Sequence, residues 1–473
     1  MNSFLCRRFL VIVWLSLLAS SVFFTTSELF SQSSAQGPAE ILQLFGMDKS
    51  TLRQFVDGTE LSSDEHEPLI RLLSLLPRFD RLDLSRWSRP VETGATIAND
   101  PAVARGEFFR LRGWVCGIEE IELPSESSRR FDFDRFYQLE VRLSSEERSV
   151  LVCCRNVPAA WRLPAARSVE IPMSCEAMFV KNGLGETGSE QLVFVTDHVA
   201  WHPFEPDAQL GVSAGQALLG QAGMDVSLFA DLSQAKPIGH TDRDCFYEML
   251  WAVGRLDPSA MRQVAQVGFD IGQLLQHPRQ EAGEFYLLQG VARRAFRVQV
   301  DDPDIRERFG LDHYYEVDLF LTLPRTLKLV DPSDGEARYY QTYPVTCCVR
   351  QLPEGMPEGS EIRQEITVCA SYLKLWSYKS RFAAGRAATK AGQKRRQVSP
   401  LFIARTVQPV RPTYQRTAWP EVALVIGFLF SMVVIGASGW YYARSDRAFV
   451  NWRHRRPDRL PDRFDDGFDD DAV

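Results

Sequence analysis

The sequence predicts an α+β protein built from two copies of one module, followed by a single membrane-spanning helix. The phrase GEFFRLRG at residues 106–113 returns as GEFYLLQG at residues 283–290, which is 177 positions later. Apolar patterns typical of helices and then of strands surround both phrases in the same order. Near the C-terminus, Val422 to Tyr442 forms a run of 21 residues without a charge, long enough to cross a bilayer.

The first 35 residues are expected to form a secretory signal peptide. Arg7 and Arg8 precede an apolar run from Phe9 to Phe24, and a stretch of small and polar residues follows. This order of charged, apolar and cleavable regions is typical of such signals, with a cut before Gln36. An uncleaved anchor is the alternative, because the apolar run is long for a signal.

Further segments match between the two copies in unchanged order. The matched pairs are FGMD (45–48) with AGMD (222–225), PLIRLLSLLPRFD (68–80) with FYEMLWAVGRLD (246–257), DRFYQLEVRL (134–143) with DHYYEVDLFL (312–321), VLVCCRNVP (150–158) with PVTCCVRQLP (344–353), SCEAMFVK (174–181) with VCASYLKL (368–375), and LVFVTDHV (192–199) with LFIARTVQ (401–408). Chance could supply one or two matches but not a colinear series. We therefore predict a duplication, with modules at residues ~40–206 and ~217–413.

Each module is predicted to begin with a helical lead-in and to continue as a β-rich part. The lead-ins cover residues 40–104 and 217–282, and the β-rich parts cover residues 105–206 and 283–413. Helical spacing relates the first-copy residues Leu69, Ile70, Leu72, Leu73 and Leu76. The alternation of a half-buried strand relates Tyr137, Leu139, Val141 and Leu143.

Five strand-like segments occur in each copy, with the longest connection between the third and the fourth. In the first copy this connection contains Pro158 and Pro164, which interrupt a helix. Five strands in this order resemble the OB-fold, a small Greek-key barrel, over ~100 residues of each copy. The resemblance implies a closed sheet in each module. A small β-sandwich is the alternative, and either arrangement protects the strand edges.

The C-terminal region is expected to cross a membrane once, over residues 419–442. Aromatic rings lie at both ends of the span, where they favour the headgroup layer: Trp419, Trp440, Tyr441 and Tyr442. Arginines are denser after the span than before it: Arg444, Arg447, Arg453, Arg455, Arg456, Arg459 and Arg463 follow, and Arg405, Arg411 and Arg416 precede. The denser cluster remains inside the cell. The tail at 443–473 is therefore expected to be cytoplasmic, with both modules outside.

Six cysteines occupy matching places in the two copies and are candidates for disulfides: Cys153, Cys154, Cys175, Cys347, Cys348 and Cys369. An extracytoplasmic location permits disulfides. Strand neighbours point to opposite faces, so only one of each adjacent pair can face the cysteine on the fourth strand. One bridge per module between the third and fourth strands is the hypothesis, and six buried free thiols are the alternative. Zinc is not expected, because there is no CxxC and no nearby histidine in both copies.

Candidate catalytic and metal-binding residues are few. Asp197, His198 and His202 end a strand pattern, where residues four apart do not converge, and no metal site is expected from them. Asp301, Asp302 and Asp304 lack the spacing and glycine of a calcium loop, and we interpret them as a solvated turn. No nucleophile elbow, zinc-protease motif or glycine-rich phosphate loop occurs. We therefore predict no catalytic residue, no metal and no cofactor.

The most informative polar stretch is residues 378–397, which contain seven basic residues and no acid: Lys379, Arg381, Arg386, Lys390, Lys394, Arg395 and Arg396. It lies between the fourth and fifth predicted strands of the second copy. Anionic lipid headgroups or an anionic envelope polymer are the expected ligands, and a solvated insertion is the alternative. The net charge of −7 over 473 residues argues against a nucleic-acid binder.

These observations predict a membrane-anchored, extracytoplasmic binding or scaffolding protein of the cell envelope, with membrane lipids and other envelope components as partners. The chain has 46 arginines against eight lysines, five asparagines and no N-glycosylation sequon, which favours a bacterial source. A non-enzymatic role is favoured, because duplication brings no paired polar catalytic residues. The alternative is an envelope hydrolase whose site lies between the two modules.

Overall fold

The computed structural model describes residues 37–91, 97, 100–144, 149–163, 170–185, 188–266, 268–330, 337–379, 396–410 and 419–453. The chain divides into two compact units, Met1–Val410 and Arg411–Val473. In the described residues, the first unit contains two β-sheets with helices around them, and the second contains one helix. The architecture is mixed α+β, as predicted. The predicted signal peptide lies outside the described residues.

A group of short helices precedes the first sheet. They are α1 (Pro38–Leu44), α2 (Lys49–Leu52), α3 (His66–Leu75), α4 (Arg81–Trp87) and α5 (Pro101–Ala104). Aspartates accept hydrogen bonds from free backbone N–H groups at three helix starts, namely Asp48, Asp80 and Asp100. Helix α3 buries four of the five residues predicted at helical spacing, and the fifth, Leu76, is buried in the 3-10 turn that follows. This group therefore provides one wall of a hydrophobic core.

The first sheet contains seven strands. They are β1 (Arg89–Pro90), β2 (Phe108–Glu122), β3 (Arg135–Leu143), β4 (Ser149–Cys154), β5 (Ile171–Leu184), β6 (Glu190–Thr196) and β7 (Ala200–Trp201). Their order is β1-β2-β3-β4-β6-β5-β7, with an additional pairing of β2 with β5. A short helix, α6 (Ser125–Phe131), connects β2 to β3.

A second group of helices precedes the second sheet. They are α7 (Ala214–Gln221), α8 (His240–Arg255), α9 (Pro258–Val264) and α10 (Ile271–Gln276), with a 3-10 turn at Val226–Asp231. The sheet contains β8 (Phe285–Gln299), β9 (His313–Val330), β10 (Ala337–Gln351), β11 (Gln364–Lys379), β12 (Arg396–Thr406) and β13 (Gln408–Pro409). Its order is β12-β10-β9-β8-β11-β13, with β12 also paired to β11.

The five long strands follow one pairing scheme in both sheets. The first strand pairs antiparallel with the second and the fourth, which is β2 with β3 and β5, and β8 with β9 and β11. The third strand pairs antiparallel with the second and parallel with the fifth. The fourth and fifth strands pair with each other. Each long strand therefore has two neighbours, and the two sheets are similar.

The repeated phrase begins and ends with glycines that the backbone requires. Gly106 has φ +88° and Gly283 has φ +90°, a left-handed conformation that side chains disfavour. A Cβ added at Gly113 would lie 2.1 Å from the carbonyl oxygen of Arg142, and one at Gly290 would lie 2.3 Å from that of Phe320. The phrase returns because both first strands start after the same turn and meet the second strand at the same close approach.

In each copy the connection between the first and second long strands contains a short helix that the sequence analysis did not predict. Residues 300–309 were interpreted as a solvated turn, but Pro303–Phe309 forms a helix, α11, and the Asp302 side chain caps its first turn. Helix α6 occupies the same place in the first sheet. Both helices end at a left-handed residue, Asp132 (φ 60°) and Gly310 (φ 59°). The signal was a capping aspartate followed by proline, which is typical of a helix start.

Three apolar clusters form the core. One lies between the first helices and a face of the first sheet, which includes Phe108 and Cys153. The largest joins the opposite face of the first sheet, the second helices and one face of the second sheet, and includes Leu139, Leu250 and Ile403. The third lies on the other face of the second sheet. The second helices therefore contact both sheets within one continuous core.

The second unit contains a single helix in its described part, α12 (Trp419–Arg453). Its segment Leu424–Arg444 is long and apolar enough to span a membrane. A rise of ~1.5 Å per residue gives this segment a length close to the ~30 Å of a hydrocarbon core. The helix covers the predicted span and continues for 11 residues beyond its predicted end at Tyr442.

Candidate functional site

A buried ion pair attaches the first helical group to the first sheet. Lys181, on β5, is fully buried, and its Nζ donates to both carboxylate oxygens of Glu65 at 2.8 Å. The same Nζ also donates to Thr59 and to the Glu60 carbonyl. Burial works against ionisation of Glu65, but hydrogen bonds from Lys181, Ser62 and Val56 outweigh it and hold the pKa of this carboxyl below its usual value.

The second sheet contains a matching pair. Lys374, on β11, and Asp242, in the first turn of α8, are both fully buried, and Lys374 Nζ donates to Asp242 Oδ2 at 2.7 Å. The backbone N–H groups of Ser233 and Gly239 also donate to Asp242 at 2.9 Å. Burial opposes the charge on Asp242, but these hydrogen bonds, that from Lys374 being the largest, lower its pKa.

The two lysines occupy the same place in the strand ladders. The pairing of β5 with β6 shifts register between Phe179 and Lys181, and that of β11 with β12 shifts between Tyr372 and Lys374. Each lysine therefore follows a β-bulge on the fourth strand. We did not predict these pairs from the sequence. The available signal was a lysine in an otherwise apolar stretch of each copy, AMFVK and SYLKL.

A second polar cluster lies where the first sheet meets the second helices. The side chain of His198, just after β6, hydrogen-bonds through Nε2 to Asp225 Oδ2 at 2.6 Å. Asp225 is 3 % exposed at its side chain, and it also accepts from the backbone N–H groups of Trp201 and Ser227. Burial opposes protonation of His198, but the Asp225 carboxylate outweighs it and raises the pKa of the imidazole.

Glu248, on α8, lies beside this pair. Its Oε2 accepts the backbone N–H of Asp225 at 3.1 Å, and its Oε1 lies 3.7 Å from Arg308 Nη2. Burial, together with the negative charge of Asp225, raises the pKa of Glu248 to about 7. Arg81 of the first helical group reaches the same region and lies 3.3 Å from Asp244. Glu248 and His198 therefore have raised pKa values, whereas Asp225 between them has a lowered one.

His202 forms a separate contact in the same junction. Its Nδ1 lies 2.9 Å from the carbonyl oxygen of Met224, and its Nε2 lies 2.8 Å from Ser174 Oγ, on β5. A carbonyl only accepts, so Nδ1 carries the proton and Nε2 accepts from the serine hydroxyl. Burial lowers the pKa of His202, which favours this neutral form. The arrangement places a serine hydroxyl against a neutral imidazole that a third group orients.

The residues that the sequence offered as candidates for catalysis or metal binding therefore do not converge on one site. His198 and His202 have separate partners, and Asp197 lies near His198 with a pKa raised by burial. Within the described ranges, no group of three histidine, cysteine or acidic side chains is arranged to hold a metal ion. Asp302 and Asp304 pair with Arg243 instead, Asp304 at 2.7 Å.

The six candidate disulfide cysteines, with Cys116 and Cys245, are free thiols in the described part of the chain. In the strand pairings, Cys153 of the first sheet is equivalent to Cys348 of the second. Each of these two side chains faces the helical group of its own copy. The same pairings relate Cys175 to Val368, one residue from the sequence match with Cys369. Burial raises the pKa of Cys153 to about 12. One disulfide per module remains a prediction.

The seven basic candidates fall mainly outside the described residues. Arg381, Arg386, Lys390, Lys394 and Arg395 lie outside them, and only the backbones of Lys379 and Arg396 are described, at the facing ends of β11 and β12. The segment therefore connects the fourth strand to the fifth, as expected from the sequence.

An aromatic and charged surface covers part of the second sheet, and we call it the β8–β9 face. Its members are Arg294, Phe296, Asp318, Phe320, Trp376 and Tyr378. Arg294 pairs with Asp318 at 3.0 Å, and its guanidinium lies 4.8 Å from the centre of the Phe296 ring. The rings of Trp376 and Tyr378 stack with centres 5.3 Å apart. Burial raises the pKa of Tyr378 to about 12, and the charges of Asp318 and Arg294 act on it with opposite signs.

The ladder-equivalent positions in the first sheet have no aromatic side chain. They are Gly117, Glu119, Glu140, Arg142, Gly183 and Gly185. The two similar sheets therefore present different surfaces. Sequence reasoning missed this difference because the aromatic residues lie on three strands. The row from Phe320 through Pro344 and Ser399 to Trp376 follows only from the strand pairings. Comparison of the chain with protein-family models gives no match, and comparison with curated proteins gives none.

Proposed function

We propose that this chain is a single-pass, membrane-anchored binding or scaffolding protein of the cell envelope, with its two sheets outside the membrane. The observation that carries the proposal is the β8–β9 face, which the equivalent positions of the first sheet lack. The second sheet of this similar pair presents a partly exposed set of aromatic and charged groups. Such groups recur at binding surfaces because rings provide contact area and charges provide orientation.

A gene duplication is the proposed origin of the two sheets. Three correspondences support it: the same pairing scheme, a buried lysine–carboxylate pair in each copy, and a short helix ending in a left-handed residue between the first and second strands. The proposed modules are 40–206 and 217–413. They divide into lead-ins at 40–104 and 217–282 and β-rich parts at 105–206 and 283–413.

Each β-rich part is proposed to be a closed five-stranded barrel of the OB type. The support is that the first strand pairs with both the second and the fourth, while the fifth pairs with both the third and the fourth. A ring of pairings leaves no free edge among the long strands. A small β-sandwich is less favoured, because it requires two sheets whose edge strands do not pair.

Residues 419–442 are proposed as the membrane span, with residues 443–473 in the cytoplasm and a cleaved signal at 1–35. The density of arginine after the span supports this orientation. The cytoplasmic placement of the tail leaves its acidic end, from Asp465 to Asp471, available to a partner inside the cell.

The basic segment 378–397 is proposed as a contact for anionic ligands. Replacing its seven basic residues with glutamine is expected to weaken binding of the full-length protein at least tenfold, because the charge that attracts an anion is removed. Binding is measured in detergent with polygalacturonate and, separately, with phosphatidylglycerol nanodiscs, which distinguishes a polymer from a lipid. The control variant replaces Arg453, Arg455 and Arg456, in the tail. Unchanged binding of both probes by the seven-residue variant would exclude this contact.

A hydrolase with its site between the modules is the second candidate. It is favoured by the hydrogen bond between Ser174 and His202, which lies where the first sheet meets the second helices. It is disfavoured because, within the described residues, the partner of His202 Nδ1 is the backbone carbonyl of Met224 and not an acidic side chain. The two functions differ in one respect: a hydrolase of this kind requires Ser174 to react with a serine-directed fluorophosphonate, and a binding protein does not.

A further inference from the structure

The β8–β9 face is close to electrically neutral, which restricts the ligands it can attract. Two guanidinium groups, Arg293 and Arg294, lie among two carboxylates, Glu316 and Asp318. The Arg293 guanidinium lies 5.9 Å from the centre of the Phe320 ring, and Arg294 forms the 3.0 Å ion pair with Asp318. Opposite charges at this spacing largely cancel at a distance. The described side chains of the face therefore carry balanced charge, and Tyr378 is also the first residue of the basic segment 378–397.

The same groups present hydrogen-bond donors and acceptors side by side. Arg294 is 44 % exposed and Asp318 is 18 % exposed at their side chains, so a ligand can reach both. A guanidinium only donates and an ionised carboxylate only accepts. A ligand that both donates and accepts from adjacent atoms satisfies the two together, and the neighbouring hydroxyls of a sugar ring have this property.

The aromatic members provide flat apolar surface next to these polar groups. Phe296, Phe320, Trp376 and Tyr378 are all partly exposed. Trp376 also has a buried indole N–H without a hydrogen-bond partner within the described residues. The C–H face of a sugar ring is apolar and packs on an aromatic ring, while its hydroxyls remain at the edge. Phe320 on β9 and Trp376 on β11 lie at the two ends of one row across the sheet, with Pro344 and Ser399 between them. Arg294 on β8 pairs with Asp318 beside this row.

We propose that the β8–β9 face binds a neutral oligosaccharide. Sugar rings pack on Phe320 and on the Trp376–Tyr378 stack, and their hydroxyls bond to Arg294 and Asp318. The inference deepens the proposed binding function by giving its ligand class. The balanced charge of the described side chains favours a neutral ligand over a polyanion. A peptide is disfavoured because, over the residues that the structure describes, each of the five long strands of the second sheet pairs with at least two others.

The test uses the full-length protein in detergent with three neutral probes, cellopentaose, chitopentaose and laminarihexaose, and with polygalacturonate and an unstructured neutral peptide for comparison. At least one neutral oligosaccharide is expected to bind and to change tryptophan fluorescence. Phe320→Ala, Tyr378→Ala and Arg294→Gln are each expected to weaken this binding at least tenfold. Tyr339→Ala, an exposed residue on β10 outside the face, and Arg142→Ala, the first-sheet equivalent of Phe320, are expected to leave it within twofold.

The Arg294 side chain is 44 % exposed, so Arg294→Gln is expected to leave the fold in place. Its effect on binding can therefore be interpreted even if another variant does not fold. The inference is wrong if no neutral probe binds, if the peptide binds better, or if none of the three face variants weakens binding. If the protein bound polygalacturonate through its charges but bound no neutral probe, the neutral oligosaccharide would be excluded as the ligand. The proposed binding function would still stand. If the protein bound neither the neutral probes nor polygalacturonate, both the oligosaccharide inference and the proposed binding function would be contradicted.

Discussion

We expect Asp242→Asn to lower the free energy of unfolding of residues 37–410 by about 3–5 kcal/mol. The reason is that Lys374 then remains charged where its side chain is fully buried, without the carboxylate that balances it. Glu65→Gln is expected to act similarly in the first copy, through Lys181. Guanidinium unfolding followed by tryptophan fluorescence measures both changes.

The double variant Asp242→Asn with Lys374→Met is expected to recover most of this loss. Removing both charges of a buried pair is often close to neutral. The asparagine oxygen still accepts one of the two backbone N–H groups, from Ser233 or Gly239, which donate to different oxygens of Asp242. Lys236→Met is the control, because Lys236 is exposed and surface substitutions usually change stability by less than about 0.5 kcal/mol. A double variant no more stable than Asp242→Asn alone would contradict the role of the pair.

Glu248→Gln is expected to change how stability depends on pH. The pKa of Glu248 is raised to about 7 from an ordinary value of 4.5, by burial and by Asp225. Between these values the folded protein binds a proton that the unfolded chain has lost. The stabilisation from this proton is therefore complete below pH 4.5 and is lost as pH rises through 7. At 1.36 kcal/mol per pKa unit, the wild type should lose about 2.5 kcal/mol relative to Glu248→Gln between pH 5 and pH 8.

Thermal unfolding of the wild type and the variant at pH 5, 6, 7 and 8 measures the difference. His198 and Asp225 titrate in both proteins, and the Glu248 charge also raises the pKa of His198. The difference at each pH therefore reports the Glu248 proton together with its effect on these neighbours. Glu307→Gln is the control, because Arg86 lowers the pKa of Glu307 and this residue should give no loss between pH 5 and pH 8. A constant difference between the wild type and Glu248→Gln across this range would show that Glu248 is ionised throughout.

The sequence predicted the mixed architecture, the similar pattern of strands and the apolar C-terminal helix because each depends on local periodicity. Alternation marks β3, and a run of 21 uncharged residues marks the centre of α12. The glycines of the repeated phrase also have local causes, since both a left-handed turn and a close approach require the absence of a Cβ.

Contacts between distant residues were not predictable in the same way. Lys181 and Glu65 are 116 residues apart, and Lys374 and Asp242 are 132 residues apart. The match between Cys175 and Cys369 differs from the ladders by one position, because similarity of short segments does not determine register. A shift of one residue moves a side chain to the opposite face of a sheet. The β8–β9 face was missed for the related reason that three separate strands contribute to it.

Chemical labelling of Cys116 tests whether the sheets lie outside the membrane. Cys116, on β2, is exposed, and the seven other cysteines of the described chain are buried or partly buried. A membrane-impermeant maleimide should label the wild type in intact spheroplasts, and Cys116→Ser should abolish this signal. In the Cys116→Ser background, Ala472→Cys in the tail should be labelled only after the membrane is permeabilised. Protection of Cys116 in intact spheroplasts, with labelling of position 472 before permeabilisation, would place the modules inside the cell and contradict an envelope binding function.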